Sequence, residues 1–388
     1  MRVVVSTPTF LPIVGGAELA IHEVYRRLGR SHDVTILTPH LPDELLANYS
    51  AQDYSSDNYK VRYIYPGLDR VLPRPARRAL KRTSLLYAAD LVRIARHERP
   101  DILDFHFIKP HGAALVLMQR LYGIPGVLTL AGRSDVMRLL SAPKRAYAKA
   151  VISRADLVVP NSTYYLGAQA PSPRIRIIAS GVDTREFSPA RRSSSLRRAL
   201  GIADGQILLL SIQRLAPVKR IDLIIRAMSI VVKRNPKVVL LIGGKGEEEH
   251  RLRRLVADLG LAENVRFAGY IASERLADYF ASADAFVFHS MVETFGTVFI
   301  QAMASELPIV AADTSCVSDV LTPDNGLLFR PSDMKAFADA ILRLADDQAL
   351  RKQIGEHNRM QAVREFDWDL IATQYEQALQ DTLDHRKG

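Results

Sequence analysis

Ala285-Phe286-Val287-Phe288-His289-Ser290-Met291-Val292-Glu293-Thr294-Phe295-Gly296-Thr297-Val298-Phe299-Ile300-Gln301-Ala302-Met303-Ala304 is the stretch whose reading decides the fold. Residues 285–288 are a short apolar run suited to a buried strand, and beyond Gly296 the residues Val298, Ala302 and Ser305 recur at helical spacing. A strand therefore passes through a loop into a helix whose first turn has free backbone N–H groups. Such a terminus attracts an anion, most simply a phosphate. The competing reading leaves Gly296 as a tight turn and Glu293 as a solvated carboxylate, and this stretch alone weighs the two evenly.

Outward from it, strands alternate with helices. Apolar runs at 207–212, 238–242 and 265–268 are separated by helical patterns at 220–233, 247–259 and 274–283; runs at 308–311 and 326–329 and a helix over 333–344 follow. The first half has the same rhythm: strands at 3–5, 34–37, 61–65, 102–105, 126–130 and 157–159, with helices carrying Ala17, Ile21, Val24 and Leu28, then Leu80, Ser84, Tyr87, Leu91 and Ile94, then 112–122 and 142–155. Alternation of this kind predicts parallel sheets with helices on both faces. It breaks around Ser180-Gly181-Val182-Asp183-Thr184, before the charged, serine-rich residues 190–198. Two doubly wound domains are therefore expected, 1–184 and 185–365, with an amphipathic helix over 366–388.

Composition narrows the class. The 388 residues are 48% hydrophobic and 24% charged, ordinary for a globular protein. No apolar run approaches the roughly 18 residues of a membrane span, and the start of the chain does not read as a signal peptide. A single cysteine, Cys316, excludes an internal disulfide framework, which fits a reducing cytosol. The net charge of +10 is uneven: residues 1–180 hold 25 Lys/Arg against 14 Asp/Glu, and residues 60–99 alone hold 11 against 3. Arg74, Arg77, Arg78, Lys81 and Arg82 crowd a helix start, where cations oppose the macrodipole. This face, residues 70–99, reads either as solvated or as kept for an anionic membrane surface. Its cations are not interleaved with aromatics and no recognition motif accompanies them, so no nucleic-acid partner is expected.

Candidate ligand-binding residues gather at the carboxyl ends of expected strands, where doubly wound sheets place ligands. Gly15 and Gly16 follow the first strand as a possible phosphate cradle, or as a turn needing glycine only for its backbone. Arg214 and Lys219, five apart after the strand at 207–212, can converge on a diphosphate. Arg133 and Asp135 follow the strand at 126–130, and His106 and His111 lie near the end of another; either histidine is equally well a packed structural residue. The His/Cys/carboxylate spacing of a metal site is absent, and Asp367-Trp368-Asp369 reads as the start of a helix.

Taken together these residues resemble family 4 of the glycosyltransferases, over nearly the whole chain. The resemblance is carried by Gly15-Gly16-Ala17-Glu18, Gly181-Val182-Asp183-Thr184 through Phe187-Ser188-Pro189, Arg214 with Lys219, Val265 through Tyr270, Ser290 through Met303, Asn325-Gly326-Leu327-Leu328 and Phe366-Asp367-Trp368. It implies a GT-B fold: two Rossmann-like domains facing a cleft, the first for the acceptor and the second for a nucleotide-sugar donor, with the last helix crossing back to the first domain. It implies that Arg214 and Lys219 neutralise the donor diphosphate while Gly15-Gly16 and the Phe295-Gly296-Thr297-Val298 backbone close around it. Glu293 would contact the donor sugar, and Tyr270 and Ile271 the base. Arg133, Asp135 and His106 fall on the acceptor side. The implied reaction retains the anomeric configuration and uses neither a metal nor a cofactor.

Two positions depart from the family pattern. Gln301 stands where the second motif glutamate usually holds the ribose hydroxyls, so ribose binding without charge assistance is expected. Ala131 stands where many relatives have a histidine touching the donor sugar. The expected activity is transfer of a sugar to a glycan or lipid-linked acceptor, in the cytoplasm or at the inner face of a membrane. An epimerase or phosphorylase on the same fold, or a nucleotide-sugar-binding protein without turnover, are the rival readings.

Overall fold

A computed structural model describes residues 1–11, 15–39, 58–64, 84–109, 111–132, 135, 139, 142–166, 172–314 and 316–387. The basic cluster from Arg74 to Arg82 and Arg133 lie outside the described residues. The chain forms two compact units, Met1–Ser180 with Trp368–Gly388, and Gly181–Asp367.

In the first unit, strands β1 (Arg2–Ser6), β2 (Asp33–Pro39), β3 (Lys60–Ile64), β4 (Ile102–His106), β5 (Gly126–Leu130) and β6 (Leu157–Pro160) form one parallel sheet in the order β3-β2-β1-β4-β5-β6. Helices α1 (Gly16–Leu28), α2 (Ser84–Glu98), α3 (Gly112–Tyr122) and α4 (Ala142–Ile152) connect the strands. Residues alternate across the sheet. Val3, Val5 and Ile36 pack under α1, whereas Val4, Leu103, Phe105 and Leu128 pack against α2, α3 and α4. A sheet buried on both faces explains why its strands are apolar throughout rather than alternating.

The second unit repeats the plan with β7 (Ile207–Ile212), β8 (Val238–Gly243), β9 (Val265–Gly269), β10 (Ala285–Phe288), β11 (Ile309–Ala312) and β12 (Gly326–Phe329), in the order β12-β11-β10-β7-β8-β9. Its helices are α5 (Ser194–Ala199), α6 (Ile221–Arg234), α7 (Glu249–Asp258), α8 (Ser273–Ser282), α9 (Thr297–Ala304), α10 (Val317–Val320), α11 (Met334–Asp346) and α12 (Gln348–Glu365). Both sheets have the strand order of dinucleotide-binding folds. In each, the order reverses beside the first strand, between β1 and β4 in one and β7 and β10 in the other.

The last helix, α13 (Trp368–Lys387), belongs to the first unit. Trp368, Ile371, Tyr375, Ala378 and Leu379 recur every three to four residues and bury against α1 and the β1 side of the sheet. Helix α12 has no such signature and went unread in the sequence. Its inner face includes Gly355, where a Cβ would stand 2.3 Å from the Glu306 carbonyl oxygen, and Asn358, whose Nδ2–H donates to the Leu307 carbonyl at 2.7 Å. Close backbone approach and a buried amide do here what an apolar stripe does elsewhere. Among the described residues, no helix is long and apolar enough to cross a membrane, and no group of three or more His, Cys, Asp or Glu is placed to hold a metal.

Candidate active site

The reversal point of the second sheet brings two loops together, residues 213–220 after β7 and 289–296 after β10. A backbone bond joins them, the Met291 N–H donating to the Val218 carbonyl at 2.8 Å, and from the segment after β11 Thr314 Oγ1–H donates to the Ser290 carbonyl at 3.0 Å. Lys219 closes the short 3-10 turn Pro217–Lys219, and its Nζ donates to Glu293 Oε1. The ammonium also lies 5.5 Å from the centroid of the Phe288 ring. With side chains only 21% and 12% exposed, this is a largely buried pair, and removing one partner would strand the other's charge. An ammonium has three donors, so holding Glu293 leaves it able to serve an anion as well.

Two backbone features fix this geometry. Arg220 has φ 46°, in the left-handed region, and turns the chain from the Lys219 turn into α6 while its Nε donates to Asp222 Oδ1 at 3.1 Å. A non-glycine residue there is strained by roughly 1–2 kcal/mol, and such strain gathers at functional loops. Gly296 has φ 80° and precedes α9; a Cβ on it would meet the Phe299 ring at 2.6 Å. Glycine is required at that turn, and the turn presents the amino end of α9 at the strand's carboxyl edge.

A third loop was not read from the sequence. At Gly244 a Cβ would lie 2.0 Å from the Gln213 carbonyl oxygen, and at Gly246 2.2 Å from that of Leu215. The Leu215 N–H donates to the Lys245 carbonyl at 3.0 Å, and the Glu248 N–H returns to the Leu215 carbonyl at 3.0 Å. Residues 243–246 thus grip the segment that carries Arg214. A glycine cluster directly behind the strand 238–242 was the available signal.

The other expected donor-side residues are more dispersed. Arg214 is 67% exposed and its Nη2 is 3.6 Å from Glu247 Oε1, a different carboxylate from the Glu293 that holds Lys219. Tyr270 is exposed, Ile271 is buried against Gly243, and Gln301 is half-buried on α9. Cys316 is buried near this loop; burial first, and then the Glu293 charge, push its thiol well above the usual range, so it is an inert packing residue.

In the first unit the corresponding position holds different chemistry. Gly15 is the extended N-cap of α1. The Glu18 carboxylate folds back over it, so that a Cβ on Gly15 would lie 2.5 Å from Glu18 Oε2, and Thr9 Oγ1–H donates to the same carboxylate. This helix terminus is covered by a carboxylate of its own chain. His111 is buried with Nδ1 3.2 Å from Ser6 Oγ, and burial pushes its imidazole down to about 3. Asp135 is buried and accepts the Ile108 N–H at 3.0 Å, a loop-holding role.

Deeper in this unit Asp104 is fully buried and accepts from Tyr25 Oη–H and, at 3.0 Å, from Thr129 Oγ1–H; Thr129 Oγ1 also bonds the Tyr375 hydroxyl. Burial, with the Asp104 charge second, pushes both tyrosines up. The network joins α1, β4, β5 and α13. His106 sits at its edge, Nε2 3.5 Å from Asp104 Oδ2, and among the described residues neither ring nitrogen has a hydrogen-bond partner.

Two dinucleotide-order sheets in two units, with a cation, a carboxylate and a glycine-started helix at the reversal point of the second, have the architecture of a two-domain, Rossmann-like GT-B protein. Residues 14–186 match the family described as Glycosyltransferase Family 4, and residues 193–361 the one described as Glycosyl transferases group 1. The D-inositol 3-phosphate glycosyltransferase of Actinosynnema mirum is 30% identical over 303 residues, covering 71% of each chain. The N-acetyl-alpha-D-glucosaminyl L-malate synthase of Bacillus anthracis is 27% identical over 395 residues, 98% of each. Among solved structures, Anabaena HepE in complex with UDP superposes with a TM-score of 0.77 at 22% identity, over 98% of this chain and 100% of that one. The chain belongs to the family 4, group 1 glycosyltransferases.

Proposed function

We propose that the enzyme transfers a sugar from a nucleotide diphosphate to an acceptor with retention of configuration and without a metal ion, the donor lying at the carboxyl edge of the Gly181–Asp367 sheet. The Lys219–Glu293 pair at the reversal point carries this reading. Lys219 neutralises the departing diphosphate, and Arg214, exposed and loosely paired, swings in to bind two of its oxygens. Preorganised charge of this kind is the largest single contribution in most such reactions. The backbone from Phe295 to Val298 adds the amino end of α9 to the same phosphates. Glu293 holds Lys219 and accepts from a donor-sugar hydroxyl, Tyr270 and Ile271 face the base, and Gln301 offers ribose an uncharged hydrogen bond. A phosphate at Gly15-Gly16 would have to displace Glu18, so the phosphates are assigned to the second unit alone. The UDP bound to the HepE structure and the glucosaminyl transfer named for the malate synthase support a nucleotide-sugar donor.

The test is a transfer assay on a panel of UDP-, GDP-, ADP- and dTDP-sugars chosen by thermal shift, since a ligand at 100 times its Kd stabilises by about 2.7 kcal/mol. Lys219→Ala and Arg214→Ala are expected to lose transfer while remaining folded; wild-type turnover in both defeats the assignment. The anomeric configuration of the product is read by NMR. Docking on an anionic membrane, for a lipid-linked or surface glycan acceptor, is supported by the basic bias of residues 60–99, and predicts liposome binding that weakens with salt.

A further inference from the structure

A cavity of about 30 Å³ lies in the first unit between α1, α13 and the carboxyl ends of β4, β5 and β6. Its walls are mainly apolar, with Ala17 and Ala20 on one side and Ile371 on another, but His106 and Asn161 also line it. His106 is 5% exposed and Asn161 9% exposed, and among the described residues neither His106 ring nitrogen nor Asn161 Oδ1 has a hydrogen-bond partner. Both are built into the fold. His106 ends β4 beside Asp104, and the Asn161 N–H is fixed to the Leu130 carbonyl at 3.1 Å.

Size and chemistry select the occupant. About 30 Å³ takes roughly two water-sized groups, the volume of one carbon and one oxygen. An apolar wall suits the carbon. The polar end offers Asn161 Oδ1 as an acceptor and the His106 imidazole as a donor or acceptor, which together satisfy one hydroxyl. Among the described residues no Lys or Arg lines the cavity, and the Asp104 carboxylate lies 3.5 Å from His106 Nε2, so an anionic group is disfavoured.

We propose that this cavity is a subsite for the hydroxymethyl arm of a neutral sugar or polyol, with His106 and Asn161 holding its hydroxyl. The proposal rests on the reading that the first unit receives the acceptor. It assigns these two residues to recognition rather than to the chemical step.

The test uses the full chain and four probes, glucose, glycerol, xylose and glucose 6-phosphate, read by saturation-transfer NMR. Glucose and glycerol are expected to bind the wild type; xylose, which lacks the hydroxymethyl arm, and glucose 6-phosphate, whose arm is anionic, bind at least tenfold more weakly. Asn161→Leu removes the acceptor at similar volume, and Ala20→Leu fills the cavity from α1 without touching either polar group. Each is expected to weaken glucose binding at least tenfold while leaving nucleotide-sugar affinity unchanged. Equal binding of glucose and xylose overturns the proposal, as does wild-type glucose affinity in both filled variants, or a crystal soaked in glucose that shows only ordered waters at His106 and Asn161. Polyol binding that survives alongside a failed Lys219 assay separates this subsite from the donor assignment.

Discussion

The two reversal points share a strand order and differ in almost everything attached to it. Beside β7 and β10 the loops carry opposite charges that meet, Lys219 and Glu293, and a glycine opens a helix at their edge. Beside β1 and β4 the helix terminus is already covered by Glu18, and the nearby imidazole of His111 is buried and kept neutral. Topology supplies the location of a site, and side chains decide whether it receives an anion. The same strand order therefore carries a cation–carboxylate pair beside a glycine-started helix in one unit, and a carboxylate-covered helix start beside a buried imidazole in the other.

The comparison breaks most visibly at Lys219. Lys219→Ala is expected to lower kcat by about 10²–10³-fold, the loss typical of removing one preorganised donor to developing charge. Glu18→Ala in the other unit should not approach that. Comparable losses in both, in steady-state assays with circular dichroism as a folding control, would dissolve the distinction.

The glycine grip behind Arg214 comes next. Gly244 has φ 129° and no room for a Cβ, so Gly244→Ala is expected to lose on the order of 3 kcal/mol through strain and a backbone clash. Urea unfolding measures this, and a loss below 1 kcal/mol would mean the two loops are not rigidly joined.

The first unit's side of the comparison is sharpened by pH. His111 titrates near 3 when folded and near 6.5 when unfolded, so below 6.5 the unfolded chain takes up a proton that the folded one refuses. Stability contributed by neutral His111 is thus present above 6.5 and is lost as pH falls, by about 2 kcal/mol at pH 5 relative to pH 7. Comparing wild type with His111→Asn between pH 7 and 5 isolates this slope, and parallel slopes would show that His111 titrates normally. The smallest effect belongs to Glu247→Gln, which removes an exposed partner of Arg214 and should shift stability by no more than about 0.5 kcal/mol.

Much of this was legible because burial on both faces forces continuous apolar runs, as in residues 207–212 and 285–288, and because loops at strand ends concentrate glycine and charge. The motif around Glu293 and the Arg214/Lys219 spacing led to the loops that follow β10 and β7, which lie side by side in the second sheet. What could not be read was partnership: Lys219 finds Glu293 across 74 positions, whereas Arg214 turns to Glu247. The grip of Gly244 and Gly246 and the polar inner face of α12 were also hidden, since close approach leaves a glycine in the sequence but does not name its neighbour.

The sequence by itself determined the alternation of strand and helix, the parallel sheets that follow from it, and the family. Those depend on local periodicity and on residue types at short spacing. Only the tertiary structure decided that Glu18 covers its own helix, that Lys219 is held by Glu293 over the Phe288 ring, and that His106 and Asn161 share one cavity. Each of those outcomes depends on which distant backbones are brought within a few ångströms, and the packing of whole sheets and helices sets that.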